Sequence, residues 1–525
     1  MRVKTPLPTF QCRGRTPQPR VRWSRTVADV AETGTVSHGS HSTQGELDVK
    51  KMFIGGHWVA ARDERTLPVV APADGAVFDQ ISRGGSHEVD AAVQAAGAAL
   101  TGPWGRMNAT ERGRVLMKIA QAVADHADEL ARLEARDTGK PMTTARNDIA
   151  VLARYFEFYG AAADKVHGET IPFLAGHQVS LLRERLGVTA HIIPWNYPAQ
   201  MLGRTVAPAL AMGNAVVLKP AEDTSLSALR IAEIAAAAGL PDGALNIITG
   251  TGEEAGAALA AHPGIDFISF TGSNEVGTLV QQAAAKNAVK CVLELGGKSP
   301  QIVFDDVDAD RAVPIIVRAI IQNAGQTCTA GSRLLVQRSI HDRFVARVAE
   351  AFAKVRVGSP EMDLDCGPLM NPTQLARVNR YIAQARSSGV PVLAEGRIAD
   401  GTAASGFYVT PTLFGPVPRN HALAREEVFG PVLAVLPFDD EADAIALANG
   451  TDYGLLAAVW TENGSRQQRV AKAVRAGQVF INCYGAGGGV ELPFGGTKRS
   501  GHGREKGLLA LEEVSTTKTL VHYHG

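Results

Sequence analysis

From Thr110 onward, apolar side chains recur at Val115, Leu116, Ile119 and Val123, a spacing that lines one face of a helix, and Gly139 and Pro141 mark its end. From about residue 187 the pattern changes to short apolar runs alternating with helical stretches. Runs at 188–193, 215–218, 244–248 and 266–270 predict buried strands. Between the second and third, 223–238 predicts a helix capped by Asp223 or Thr224 and ended by Gly239 and Pro241. A second set follows Leu293: a strand at 301–304, a helix at about 309–322, a loop carrying Cys328, a strand at 333–337 and a helix at 341–355. Further strands are expected near 407–414, 432–437, 455–460 and 478–482. This alternation predicts two α/β domains built on parallel sheets, with Glu294 at the seam.

Composition narrows the function classes. The chain has 525 residues, enough for two or three domains with large cores. Lys+Arg and Asp+Glu are equal at 53 each, so no global field favours nucleic acid or an anionic membrane. Five cysteines without a CxxC pair argue against a disulfide framework and a zinc site, and for a reducing, cytoplasmic setting. Fourteen histidines show no ligand spacing, so no metal chemistry is supported. No apolar run reaches transmembrane length. Residues 1–51 differ from the rest: Arg2, Lys4, Arg13, Arg15, Arg20, Arg22 and Arg25 precede the first acidic residue, Asp29. This segment reads as a disordered extension, or as sequence upstream of an initiator at Met52. Its Arg-rich, acid-poor character only partly resembles an organellar transit peptide.

Two segments carry the chemistry. Cys328 lies in Asn323-Ala-Gly-Gln-Thr-Cys-Thr-Ala-Gly-Ser332, and Glu294 lies in Leu293-Glu-Leu-Gly-Gly-Lys298. Small neighbours let a carbonyl approach the sulfur, and a carboxylate in a glycine-rich turn suits a mobile general base. Thiol plus carboxylate implies attack on a carbonyl followed by activation of water. Alone, a cysteine is more often a buried small hydrophobe, and Cys12, Cys291, Cys366 and Cys483 are expected to be that or neutral surface thiols. Two glycine patterns mislead. Gly250-Thr-Gly252 with Gly256 has the wrong spacing for a dinucleotide fingerprint, and Gly297-Lys-Ser299 lacks the glycine a phosphate loop needs, Val292 standing there. The segment Phe270-Thr-Gly-Ser-Asn-Glu-Val-Gly277 ends a strand and opens a helix, which suits either a pyrophosphate or an ordinary capped turn.

Pro194-Trp-Asn-Tyr-Pro198, Leu218-Lys-Pro-Ala-Glu222, Phe270-Thr-Gly-Ser273, Glu426-Glu-Val-Phe-Gly-Pro431 and Pro493-Phe-Gly-Gly-Thr-Lys498 occur in that order with the Glu294 and Cys328 segments. From about Met52 to the C-terminus the chain resembles the NAD(P)-dependent aldehyde dehydrogenase superfamily. The resemblance implies a Rossmann-like cofactor domain over 52–163 and 187–293, a catalytic domain over 294–497, and oligomerisation segments at 164–186 and 512–525. It implies Cys328 as nucleophile, Glu294 as base for hydrolysis, Asn196 as oxyanion donor and Glu505 in a proton relay. It also implies NAD, with NADP as a further possibility, held by Trp195, Lys219, Glu222, Gly252, Thr271, Gly272, Ser273, Leu295, Glu427 and Phe429. A carboxylate at Glu222 repels a 2′-phosphate and so favours NAD. On residue type alone, Asn196 also suits a turn cap, Lys219, Glu222 and Glu505 surface charges, and Phe429 a core aromatic. Relatives that pass the acyl group to coenzyme A usually lack the glutamate at 294, and non-catalytic relatives tend to lose the nucleophile.

Relatives acting on compact or cationic aldehydes often carry Trp-Lys where this chain has Arg204-Thr205. An arginine in the channel would repel a quaternary ammonium. With the small residues of 484–489, this favours a medium-sized neutral or anionic aldehyde, aromatic or semialdehyde. By the same resemblance a homodimer or homotetramer is expected, through strands near 179–185 and 514–521.

Overall fold

The computed structural model describes residues 48–485 and 489–525. The expected extension is shorter than 51 residues, because Val49–Lys50 already pairs with Val77–Ser82 in a small sheet; the rest of that expectation, residues 1–47, lies outside the described residues.

The long helix expected from Thr110 is two helices, Ala109–Asp125 and Ala127–Thr138. Asn108 opens the first with a capping box: its side chain accepts from Glu111 N, and Glu111 Oε2 accepts from Asn108 N at 2.8 Å. His126, with ψ 16°, leaves the helical region and separates the two. The first packs closely on Met142–Ala162, where a side chain at Gly113 would stand 2.5 Å from the Gly160 carbonyl.

These helices cover an eight-stranded sheet. Its order is Gly501–His502, Lys290–Glu294, Phe267–Thr271, Val188–Ile192, Ala215–Lys219, Leu245–Ile247, Met52–Ile54, His57–Val59. The five from Lys290–Glu294 to Leu245–Ile247 are parallel. The chain runs outward from Val188–Ile192 to one side and then, from Phe267–Thr271, to the other. Such a reversal opens a crevice beyond the carboxyl ends of the strands. Between Ala215–Lys219 and Leu245–Ile247 the helix is Leu226–Ala237, preceded by a tight turn at Glu222–Thr224; its cap is Ser225, not Asp223 or Thr224.

The second sheet runs Val392–Glu395, Thr412–Phe414, Val432–Phe438, Arg333–Gln337, Pro300–Val303, Leu456–Trp460, Gln478–Ile481, parallel except for the first pair. The strand expected at 407–414 is only Thr412–Phe414. Pro411 has no N–H for the ladder, and the residues before it turn to the N-terminal segment, where Phe407 N donates to Pro72 O at 3.0 Å. The edge strand Val392–Glu395 was not anticipated.

A third sheet pairs Ser515–Tyr523 with His177–Arg185 over nine antiparallel positions, with Glu169–Ile171 on the far edge. Leu520, Val521 and Tyr523 are exposed on the strand Ser515–Tyr523, Val521 and Tyr523 on one face of the sheet and Leu520 on the other. Buried Asn214 ties this arm to the body. Its Oδ1 accepts from Leu186 N at 2.8 Å and Gly187 N at 3.0 Å, while Nδ2 donates to Ala209 O at 3.1 Å and Val514 O at 2.8 Å. Asn214→Ala strands these backbone groups in the interior, so it should cost at least about 3 kcal/mol, read as a lowered urea unfolding midpoint.

Candidate active site

Cys328 stands in a loop set by backbone conformation. Asn323, Ala324 and Gly325 follow one another at φ 50°, 55° and 71°. Only glycine fits the third, because a Cβ there would lie 2.2 Å from the Gly430 carbonyl. Gln326 then pins the loop: Met370 N donates to its Oε1 at 2.8 Å, and its Nε2 donates to Asn323 O at 3.2 Å. Cys328 emerges partly exposed into a cleft shared with Asn196, Glu294, Glu427 and Phe429. Burial pushes its thiol up to about 12; Arg204 pulls it down, and Glu427 and Glu294 push it up.

Glu294 ends the strand Lys290–Glu294, paired with Gly501 on the edge strand. The turn after it lies against the cysteine loop: a side chain at Gly297 would stand 2.3 Å from the Cys328 carbonyl. Ser500 fixes the turn, its Oγ donating to Gly296 O at 2.7 Å. The Glu294 carboxyl is only 1 % exposed, and neither oxygen has a hydrogen-bond partner. Burial raises its pKa well above the usual carboxylate range, opposed by Arg204.

Asn196 follows the strand Val188–Ile192 and is buried, its Nδ2 donating to Gln326 O at 2.9 Å. An amide carries two N–H groups, so one remains for a ligand oxygen. Asn323 Nδ2 donates back to Asn196 O at 3.0 Å, joining the two loops. Behind them Lys140 lies over the Tyr197 ring at 4.1 Å and pairs with Asp148 at 2.5 Å.

Glu505 is no surface helix charge. It is buried in a bridge to Phe494, and its Oε1 accepts from Ser269 Oγ at 2.8 Å. Arg204 is the residue the sequence placed in the channel without seeing its partners. It is 8 % exposed, 2.5 Å from Glu505 and 3.7 Å from Glu294, with its guanidinium carbon 4.2 Å from the Phe494 ring centre. Two carboxylates match its charge, although neither Nε nor Nη2 makes a hydrogen bond, so it is not the open cation that the argument for an anionic aldehyde assumed. Lys506 was also missed; it lines the same cleft, its pKa lowered to about 7 by burial and by Arg204. Only proximity in the fold could have signalled Lys506, or the two partners of Arg204.

The remaining positions gather at the strand ends. Ser273 caps the helix Asn274–Lys286, accepting from Val276 N at 3.3 Å, and the buried Thr271 Oγ1 has no partner. Leu295 packs under Gly277. Lys219 is buried rather than solvated; its Nζ donates to Glu222 Oε2 at 3.0 Å. Gly252 N donates to Glu222 Oε1 at 3.4 Å, so Gly252 does face this site despite its unusual glycine spacing. Trp195 and Phe429 meet edge to face at 5.4 Å and line the cleft. Glu427 Oε1 accepts from Gly297 N at 2.8 Å; burial raises its pKa to about 7. Tyr155, Met201, Tyr484, Leu492 and Phe494 also line the cleft. Of the expected roomy 484–489 loop, residues 486–488 lie outside the described residues.

The aldehyde dehydrogenase family model matches residues 58–520. A Burkholderia cenocepacia structure described as an aldehyde dehydrogenase is 58% identical with a TM-score of 0.90, covering 90% of this chain and 100% of that one. The NAD+ complex of an aldehyde dehydrogenase from Bacillus cereus is 38% identical with a TM-score of 0.88, covering 91% of this chain and 97% of that one. The mitochondrial benzaldehyde dehydrogenase of Antirrhinum majus is 42% identical over 90% of this chain and 88% of its own length.

Gly325→Ala combines a left-handed backbone with an overlap, whereas a Cβ at Gly464 would meet nothing within 4 Å. Thermal melts should therefore show a clear loss for Gly325→Ala, of at least about 1–3 kcal/mol, and almost none for Gly464→Ala.

Proposed function

The chain belongs to the aldehyde dehydrogenase family, and from that premise we propose that it oxidises an aldehyde to a carboxylic acid through an acyl intermediate on Cys328, with NAD as oxidant. The observation that carries this reading is the convergence of Cys328, Asn196 and Glu294 on one cleft. The carboxyl ends of the parallel strands suit the dinucleotide. The unpartnered Thr271 Oγ1 and the amino end of the helix Asn274–Lys286 fit its phosphates. Lys219 and Glu222 fit the adenosine ribose, with Gly252 beside them, and the Glu222 carboxylate would repel a 2′-phosphate. Trp195, Leu295, Glu427 and Phe429 would hold the nicotinamide half. When bound, NAD supplies the acceptor for a hydride.

At rest the sulfur is a thiol, because burial outweighs the help of Arg204. Glu294, itself of raised basicity, is the group suited to take that proton. Sulfur then bonds to the carbonyl carbon, and the carbonyl electrons move to oxygen. Asn196 and the Cys328 N–H donate to that oxyanion, where losing one donor typically costs about 10²–10³ in rate. Collapse of the oxyanion expels hydride and leaves a thioester on Cys328. Glu294 gives up the thiol proton to solvent and then takes a proton from water; the oxygen attacks the thioester, and the carbon–sulfur bond breaks to release the acid and return the thiolate. Glu505 acts behind this pair. A medium-sized neutral aldehyde, such as an aromatic one, suits the stretch of cleft lined by Tyr155, Met201, Tyr484 and Phe494. The unpaired cysteines among the described residues support a reducing, cytoplasmic setting.

The third sheet supports assembly into a dimer or tetramer, since its exposed apolar face and free strand edges invite pairing with another copy.

Cys328→Ala should abolish NADH formation across an aldehyde panel while NAD binding, followed by protein fluorescence, persists. Glu294→Gln should slow steady-state turnover more than the first hydride transfer, so rapid mixing should still show a burst of NADH. A wild-type burst that vanishes in this variant would make thiol activation the main role of Glu294.

Light scattering should give a dimer or tetramer mass, and deletion of 514–525 should weaken the association. An active enzyme of monomer mass would refute assembly.

A further inference from the structure

The helix Pro198–Ala211 points Arg204 inward between two acidic side chains. The contacts are unequal. Nε lies 2.5 Å from Glu505 Oε2, and Nη2 lies 3.7 Å from Glu294 Oε2. Glu505 is in turn held by the sheet, through Ser269 Oγ at 2.8 Å. Phe494 packs against the guanidinium at 4.2 Å, and Met201 Sδ receives Nη1 at 3.8 Å. So Arg204 makes a short ion pair on one side, although neither its Nε nor Glu505 Oε2 completes a hydrogen bond, and on the other it lies near a carboxyl that has no hydrogen bond of its own.

We propose that Arg204 is a positioning residue for Glu294: paired with Glu505, it favours the ionised carboxylate against burial and restrains it at the base of the cleft without locking it. This rests on Glu294 being the general base. A direct hydrogen bond would stabilise the carboxylate so well that it would neither swing nor accept a proton. An ion pair longer than a hydrogen bond restrains it by charge and leaves its oxygens free. With no such cation, a buried carboxylate would hold its proton and could not serve as a base.

The groups facing Glu294 have opposing effects. Burial raises its pKa; Arg204 lowers it, Glu505 raises it, and Arg504 and Lys506 lower it. Tyr155 faces Arg204 from the helix Met142–Ala162, and Cys328 faces it from its loop. Lys506, lowered to about 7, loses its charge as pH rises through neutrality. Arg204 does not: burial disfavours its charge, but Glu505 and Glu294 more than offset this and raise its pKa above the usual value.

The two neighbours of Glu294 therefore predict shifts of opposite sign. In Arg204→Gln the acid limb of kcat against pH should move up by about 1–3 units, with kcat falling more than the KM for aldehyde or NAD. In Glu505→Gln the limb should move down, because a negative neighbour is lost and Arg204 is freed for Glu294. Arg204→Lys should recover most of the Arg204→Gln shift. Disruption of packing moves both limbs the same way or neither, and either result overturns the proposal. If Arg204→Gln does not fold, Arg204→Lys keeping the limb near wild type while Glu505→Gln moves it down supports the proposal, and movement of both in the same direction overturns it. Glu294→Gln run alongside separates the two readings. Should it leave turnover at the wild-type rate, the assignment of the base fails. Should it slow turnover while the limbs do not part, only the role of Arg204 fails.

Discussion

The close approach of two backbones governs this molecule. The turn after Glu294 lies so near the Cys328 loop that a Cβ at Gly297 would be 2.3 Å from the Cys328 carbonyl, and one at Gly296 would be 2.3 Å from Glu427. Glu294 ends a strand of the first sheet, and Cys328 precedes a strand of the second. Bringing them together requires two glycines with no side chain between the sheets. It also requires a strained approach to Cys328 through three left-handed residues. Such strain persists only where the surroundings over-determine it, and here Gln326, Asn196 and Asn323 do so with hydrogen bonds in both directions.

The same closeness sets the electrostatics. Thiol and carboxyl share a poorly solvated floor, and burial disfavours the charged form of each. Two such groups can exchange one proton at little cost, since moving it changes which is charged and not how many are. Arg204 limits how far this goes. Its positive charge opposes burial at both groups, although burial remains the larger effect on each.

Much of this was legible in sequence, and the reason differs from place to place. Parallel strands buried on both faces leave continuous apolar runs, so 188–193, 215–218, 266–270 and 333–337 were recognisable within a residue or two. The cysteine loop and the Glu294 turn were recognisable because close approach demands small residues. Failures came where tertiary partners decided. Residues 407–410 have a strand-like composition but spend their hydrogen bonds on the N-terminal segment. Glu505 and Lys219 have the composition of surface charges, yet both are buried against specific partners. Arg204 looked like an open cation because its two acidic partners lie 90 and more than 300 residues away.

One helix connects the chemistry to the protruding arm. Pro198–Ala211 begins beside Asn196, carries Arg204 at its middle and ends against Asn214. Asn196 faces the cleft, Arg204 supports its floor, and Asn214 holds the strands that carry the exposed sheet. The helix is buried along nearly its whole length, so it can move only as a body. A shift of the arm would therefore displace the oxyanion donor and the cation beneath Glu294 together. In that sense the arm belongs to the active site's support, although none of its residues lines the cleft.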